Sequence, residues 1–142
     1  MVNGRLLAVL LILVASTAAQ RAPDRDYFDR LPAEHEVLGN PSNAVADINS
    51  PNDYLIERAQ YVLSYSREKG EPNWVAWHLD STWIGSAPRQ NNYQADSSLP
   101  PGWYQVEPYD YSGSGFDRGH NCPSGDRTST VADNSATFRM TN

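Results

Sequence analysis

One cysteine, Cys122, occurs in the 142 residues, so no disulfide can close within the chain and its core has to come from packing. Positive charge is also scarce. The formal net charge is −6, whereas a sequence-independent grip on a polyanion normally rests on a basic surface. That argues against a uniformly basic binding surface, but leaves room for cations confined to a cleft. Internal repeats and low-complexity tracts are missing. Leu6 to Val14 is the one long apolar run. It is shorter than the roughly 20 residues that a bilayer span needs.

That run follows Arg5 and precedes the small residues Ser16, Thr17, Ala18 and Ala19. This is the layout of a secretory signal peptide over residues 1–19, with cleavage after Ala18 or Ala19, a secreted product and no membrane attachment afterwards. Residues 20–37, broken by Pro23 and Pro32, read as a linker in which His35 and the acidic Asp24, Asp26 and Asp29 are solvated. The remainder, 38–142, is one domain. Across the whole chain, four Trp and eight Tyr argue against disorder, and ten Pro and nine Gly predict many turns. The aromatics could stack on bases, as in single-strand binders, but at strand spacing they are read as core.

Leu38–Pro51 reads as irregular loop. Tyr61-Val-Leu-Ser-Tyr65 and Trp74–Leu79 have strand composition, and Arg67–Asn73 between them reads as a turn, which gives a β-hairpin with His78 as a polar strand position. Gly85–Pro101 is polar loop, and Trp103–Val106 is a short strand candidate. Thr130-Val-Ala-Asp133 matches a capping box, which predicts a helix with Val131, Ala132, Ala136 and Met140 on one face.

The chemistry is concentrated in Gly115-Phe-Asp-Arg-Gly-His-Asn-Cys-Pro-Ser-Gly-Asp-Arg127. Gly115 and Gly119 permit positive φ and close backbone approach. His120 has a side chain whose ordinary pKa, ~6.5, suits proton abstraction near neutrality. Arg118 offers a planar fork matched to phosphate oxygens. Asp117 can orient an imidazole or hold a water. Phosphodiester hydrolysis needs a base, a cation for the growing phosphate charge and something to stabilise the leaving oxygen, usually a metal. The first two are present by residue type and the third is not. The plainer reading of the tetrapeptide alone is a tight turn with an ordinary polar histidine.

The wider pattern favours the chemical reading. Asp117-Arg-Gly-His120, Pro123-Ser-Gly-Asp-Arg127, Asn134-Ser-Ala-Thr-Phe138 and Met140-Thr-Asn142 together resemble the DNA/RNA non-specific endonuclease family, one of the ββα-metal or His-Me finger nucleases. Upstream, Leu38-Gly-Asn-Pro-Ser42, Asn52-Asp-Tyr-Leu55, Asn73-Trp-Val-Ala-Trp77, Trp83-Ile-Gly85, Arg89-Gln90 and Leu99-Pro-Pro-Gly-Trp103 are similar to its secreted bacterial branch.

The resemblance implies an α+β fold with a mixed or antiparallel sheet and a ββα-metal site. It implies a metal-dependent, sugar-non-specific endonuclease acting on DNA and RNA with Mg²⁺ or Mn²⁺, and a proteinaceous inhibitor as a possible partner. His120 matches the general base and Arg89 an arginine aimed at the scissile phosphate. Arg118 and Asn142 match residues that support the substrate site, and Asp117 and Gly119 lie behind them. The family's direct metal ligand is a different asparagine, on a helix expected beyond Asn142. On that expectation residues 38–142 form the N-terminal part of the domain, incomplete at the C-terminus and short of activity alone. A second departure is Asn121-Cys122, where many relatives carry an apolar residue followed by Ala. Cys122 reads as a buried small residue. The competing readings are a non-catalytic or degenerate relative that acts by binding, and a secreted structural domain.

Overall fold

The computed structural model describes residues 34–142. The signal-peptide reading of 1–19 and most of the 20–37 linker fall outside these residues. Three strands form one antiparallel sheet in the order β1-β2-β3: β1 (Tyr54–Glu57), β2 (Val62–Ser66) and β3 (Glu71–Ala76). With the short helix α1 (Val131–Ala136) this makes an α+β fold whose sheet is antiparallel throughout.

The central strand is buried along its whole length. Leu63 and Tyr65 point to one face with Tyr61, and pack with Ile56, Leu99, Trp103 and Cys122 into the main apolar cluster. Ser64 points to the other face and is also buried. There Asp53 accepts its hydroxyl at 2.6 Å, and Asn73 Nδ2 donates to it at 3.0 Å. Pairing these groups removes the cost of burying them.

The predicted hairpin is present with β3 shifted towards the turn. It starts at Glu71 and stops at Ala76 rather than running from Trp74 to Leu79. Two local features explain the shift. Gly70 adopts φ +71, a conformation glycine takes without steric penalty, and its N–H reaches Ser66 O at 2.9 Å, so the turn closes early. Pro72 lacks an N–H but lies on an edge strand beside a register break at Ser64/Tyr65, where it deprives no partner. His78 therefore lies beyond the strand and is exposed.

Trp103–Val106 is not a strand. Gly102 at φ +81 turns the chain so that Trp103 becomes a packing plug, stacked at 6.5 Å on Tyr65 and edge-on at 5.1 Å to Tyr54. The Thr130 cap is present, with Thr130 Oγ1 accepting from Asp133 N at 3.0 Å, but the reciprocal half of the box is replaced: Asp133 Oδ2 accepts the Ser129 and Thr130 hydroxyls at 2.8 and 2.6 Å. The helix stops before Met140, however, and the predicted apolar face is not what docks it. Val131 is 52% exposed and Ala132 is exposed, whereas Asn134, Thr137 and Phe138 are buried. An amide, not an aliphatic stripe, seats this helix.

His35 is buried rather than solvated, at 4% exposure. Its Nδ1 accepts the backbone N–H of His78 at 3.0 Å, so the other ring nitrogen carries the proton and donates to Ala59 O at 2.9 Å. Arg127 is fully buried beside it. Nε donates to Gln60 O at 2.8 Å, Nη1 to Asp126 O at 2.7 Å and Nη2 to His78 O at 2.9 Å, and the guanidinium lies 4.2 Å from the Trp83 ring centroid.

Arg127→Lys keeps the charge but loses the planar fork, and several carbonyls lose their donors. The expected loss is about 2 kcal/mol or more, read from denaturant unfolding. A loss within 0.5 kcal/mol, the ordinary range for a surface change, would show that the fork is not needed.

His35 gives a pH prediction. Burial lowers its pKa below the ordinary 6.5, and the neighbouring Arg127 charge lowers it further. Between that depressed value and ~6.5 the unfolded chain binds more protons than the folded one, so stability rises with pH across the window and falls on acidification. In His35→Gln the dependence of the melting temperature on pH below 6.5 should be shallower than in the parent. Parallel curves would contradict this.

Candidate active site

Residues 115–127 run as loop with a single 3₁₀ turn at Ser124–Asp126. They are held in place from the chain's last residues. Asn142 Oδ1 accepts Cys122 N–H at 2.8 Å, and its Nδ2 donates to Cys122 O at 3.0 Å and Thr137 O at 2.7 Å. Its carbonyl takes both the backbone N–H and the Nδ2 of Asn121, at 2.9 and 2.7 Å. The Asn142 side chain thus acts as a surrogate strand residue, directed inward at the loop backbone. Cys122 is buried, and burial pushes its thiol up to about 12, so it stays protonated and serves as packing.

His120 follows immediately before this clamp. Its ring meets Phe138 edge-on at 4.5 Å and Tyr93 at 5.4 Å. Nδ1 lies 3.1 Å from the Tyr93 hydroxyl, which can donate or accept according to the tautomer. Nε2 is enclosed and has no hydrogen-bond partner among the described residues. Burial lowers the His120 pKa, and the positive charge of Arg89 lowers it further. The imidazole is therefore neutral at pH 7.

Arg89 reaches this region from a loop far away in sequence. Its Nη1 donates to Ser124 Oγ at 2.5 Å and its Nε to Asn91 Oδ1 at 2.8 Å, with the guanidinium 5.0 Å from the Phe138 ring centroid. Asn134 fixes that loop from α1. Its Oδ1 accepts Gln90 N–H at 3.0 Å, while its Nδ2 donates to Ser124 O at 2.7 Å. Gln94 adds a second tie, its N–H donating to Phe138 O at 3.1 Å and its carbonyl accepting from Met140 N at 2.9 Å.

Arg118 is exposed, with its guanidinium 4.9 Å from the Tyr93 ring centroid. Arg118, Gly119, Asn121, Tyr93 and Arg139 line a polar cleft of ≈ 240 Å³. A Cβ at Gly119 would meet no protein atom within 4 Å, so glycine there keeps cleft space open. Positive φ occurs at Gly115, at +85. Asp117 is exposed in a smaller adjoining cleft of ≈ 140 Å³.

The structure therefore brings His120, Arg89, Arg118 and Gly119 around one set of aromatic rings. It places Asn142 behind them as a brace and Asp117 to one side. Tyr93, Ser124, Asn134 and Phe138 were not singled out from sequence. Ser124, Asn134 and Phe138 lie inside motifs already noted, whereas Tyr93 sits in a polar loop and carries no local signal. The arrangement sets a neutral imidazole against Phe138 and Tyr93, with the Arg89 guanidinium over the first ring and that of Arg118, which lines the polar cleft, over the second. No three His, Cys, Asp or Glu side chains converge among the described residues, so these residues do not by themselves make a carboxylate- or imidazole-based metal centre.

A family model for DNA/RNA non-specific endonuclease matches residues 39–142. A nuclease of Nostoc sp. is 48% identical over 134 residues, covering 94% of this chain and 49% of that protein. Nuclease C1 of Cunninghamella echinulata var. echinulata is 36% identical over 100 residues, 68% of this chain and 39% of its own. The mitochondrial nuclease EXOG of Danio rerio is 39% identical over 84 residues, 58% of this chain and 24% of its own. The chain thus spans half or less of the length of these relatives. A chain from the crystal structure of the EndoG/EndoGI complex superposes with TM-score 0.57 at 30% identity, over 63% of this chain and 38% of that one.

Arg89→Met removes a charge that depresses the His120 pKa, so the His120 titration midpoint, followed by NMR of its ring protons, should move up towards 6.5. An unmoved midpoint would mean that the two groups do not sense each other.

Proposed function

This chain belongs to the DNA/RNA non-specific endonuclease family, and on that footing we propose that it carries the base and phosphate-binding part of a ββα-metal (His-Me finger) nuclease that hydrolyses phosphodiester bonds in DNA and RNA. The observation that carries the proposal is a neutral, ring-clamped imidazole set among arginines.

His120 takes the proton from the attacking water. General-base assistance of this kind contributes about 10²–10⁴-fold. Arg89 is held to Ser124 with one edge of its fork, and meets a phosphoryl oxygen with what remains. Arg118, at the mouth of the polar cleft, meets the adjoining backbone phosphate. Gly119 leaves room for the strand, Asn142 keeps the loop in register, and Asp117 assists from the side by orienting water. Contacts to phosphate rather than to base edges support little sequence preference.

Mg²⁺ or Mn²⁺ is the cofactor that the family resemblance implies, and when bound it would neutralise charge at the leaving oxygen. The described residues do not assemble its ligands, so the steps above are those of this chain's own side chains. The apolar leader over residues 1–19 supports export as a secreted protein. Since the structural neighbour comes from a complex described by the mechanism of EndoG inhibition, a proteinaceous inhibitor is a further proposed partner.

The test is cleavage of plasmid DNA and of RNA by the full-length protein. His120→Ala should lower kcat at least about 100-fold in a protein that still unfolds cooperatively, and a chelator should abolish cleavage until Mg²⁺ or Mn²⁺ is returned. Undiminished cleavage by His120→Ala would remove the base assignment. A wild-type protein that cuts neither nucleic acid would favour the non-catalytic relative.

A further inference from the structure

The segment between Trp103 and Asp117 presents aromatic rings that the fold does not bury. Tyr104, Tyr109 and Phe116 are 62%, 68% and 77% exposed. Their exposure is not that of a loose end, because the backbone beneath is closely tied. Glu107 N–H and the Tyr104 hydroxyl both donate to Asp110 Oδ2, at 2.8 and 2.7 Å. Ser112 N–H returns to Tyr109 O at 2.8 Å, and Ser114 Oγ donates to Tyr111 O at 2.9 Å and accepts Phe116 N–H at 3.1 Å. Gly113 and Gly115, at φ +74 and +85, make the two bends that this turn requires. The turn thus holds Phe116 in solvent, where a free apolar ring has no stabilising neighbour.

Its surroundings indicate the occupant. Phe116, Tyr111 and Arg118 line one shallow cleft, and Tyr111 and Arg118 also line the larger polar cleft beside Tyr93 and Gly119. Arg118 therefore stands between the two. An anion held at Arg118 would share that shallow cleft with the exposed Phe116 ring, while Arg118 itself lies over Tyr93. A cation adjoining an open aromatic face matches a nucleotide, which carries an anionic phosphate next to a flat base. It matches an apolar peptide poorly, because the cleft is rich in charged and polar groups.

We propose that Phe116, with Tyr111, forms a stacking platform for an unpaired nucleobase whose adjacent phosphate lies at Arg118. The proposal rests on the nuclease reading above and extends it to the form of the substrate. Every base offers a π-face, so the platform is indifferent to sequence. A base inside a duplex already has both faces stacked and must leave the helix to reach Phe116, which costs unstacking and unpairing energy. The platform therefore favours single-stranded or locally opened nucleic acid over an intact duplex.

The experiment separates stacking from catalysis. In full-length protein carrying His120→Ala, fluorescence anisotropy gives the affinity for a single-stranded oligothymidylate and for an abasic oligonucleotide of equal length and charge. The thymidylate should bind more tightly. Phe116→Ala in this background should weaken thymidylate binding about tenfold and leave abasic binding unchanged, and Phe116→Trp should restore it. Arg118→Ala should weaken both. Equal affinity for the two oligonucleotides before Phe116 is changed, or a Phe116→Ala protein that still prefers thymidylate by the same factor, would overturn the platform. Cleavage that survives His120→Ala is scored separately, as a failure of the catalytic reading.

Discussion

The buried guanidinium of Arg127 is the constraint around which the described residues are arranged. Removing a cation from water costs several kcal/mol unless its donors are met. Here they are met by main-chain carbonyls from three separate stretches, at Gln60, His78 and Asp126, and the Trp83 ring lies at 4.2 Å. Hydrogen bonds from a charged donor contribute about 1.5–3 kcal/mol each, so a fork able to satisfy several at once can offset its own burial. The geometric effect matters more for the site. One side chain ties the link between β1 and β2, the segment leaving β3 and the turn at residues 124–127 to a common point. Trp77 adds to this tie through its indole N–H on Asp126 Oδ2 at 2.9 Å.

From that turn outward, amides rather than ion pairs carry the order. Asn134 links the turn to the Arg89 loop, and Asn142 links the His120 loop to the end of the α1 segment. An amide offers donors and an acceptor in one plane, and so can substitute for a neighbouring backbone where no regular strand is available. The rings of Phe138 and Tyr93 then set the orientation of the imidazole, with a guanidinium over each ring. The proposed base is thus held by packing and remains neutral, while Arg89 is held by the Phe138 ring, Ser124 and Asn91, and Arg118 lies over Tyr93.

This arrangement resolves the charge question raised by the sequence. A chain of net charge −6 can still present a locally cationic site, because Arg118 and Arg139 outnumber Glu71 in the polar cleft and Arg89 lies against the ring that packs on His120. Net charge sums over the whole surface, whereas a phosphate senses charges within about a Debye length, roughly 8 Å at physiological salt. Phe116 and Tyr111 line the shallower cleft next to it, which shares Arg118 and Tyr111 with the polar one.

The sequence by itself determined the strand near Tyr61–Tyr65, its hairpin, the Thr130 cap and the Asp-Arg-Gly-His cluster, but not β1, whose pairing makes that strand central. These are local matters: alternating apolar content, a glycine turn, a side chain reaching three residues ahead. It also carried family membership, because ordered motifs survive as linear strings. The tertiary structure alone decided where β3 begins, that α1 seats itself through Asn134, that His35 is buried as a neutral ring, and that Tyr93 stands at the His120 imidazole. Each of these depends on partners tens of residues away, such as Ala59 and His78 for His35 or Gln90 and Ser124 for Asn134. The physical reason is that a polar side chain looks solvated in any local window. It becomes structural only when the fold brings a complementary backbone group to it and excludes the water that would otherwise compete.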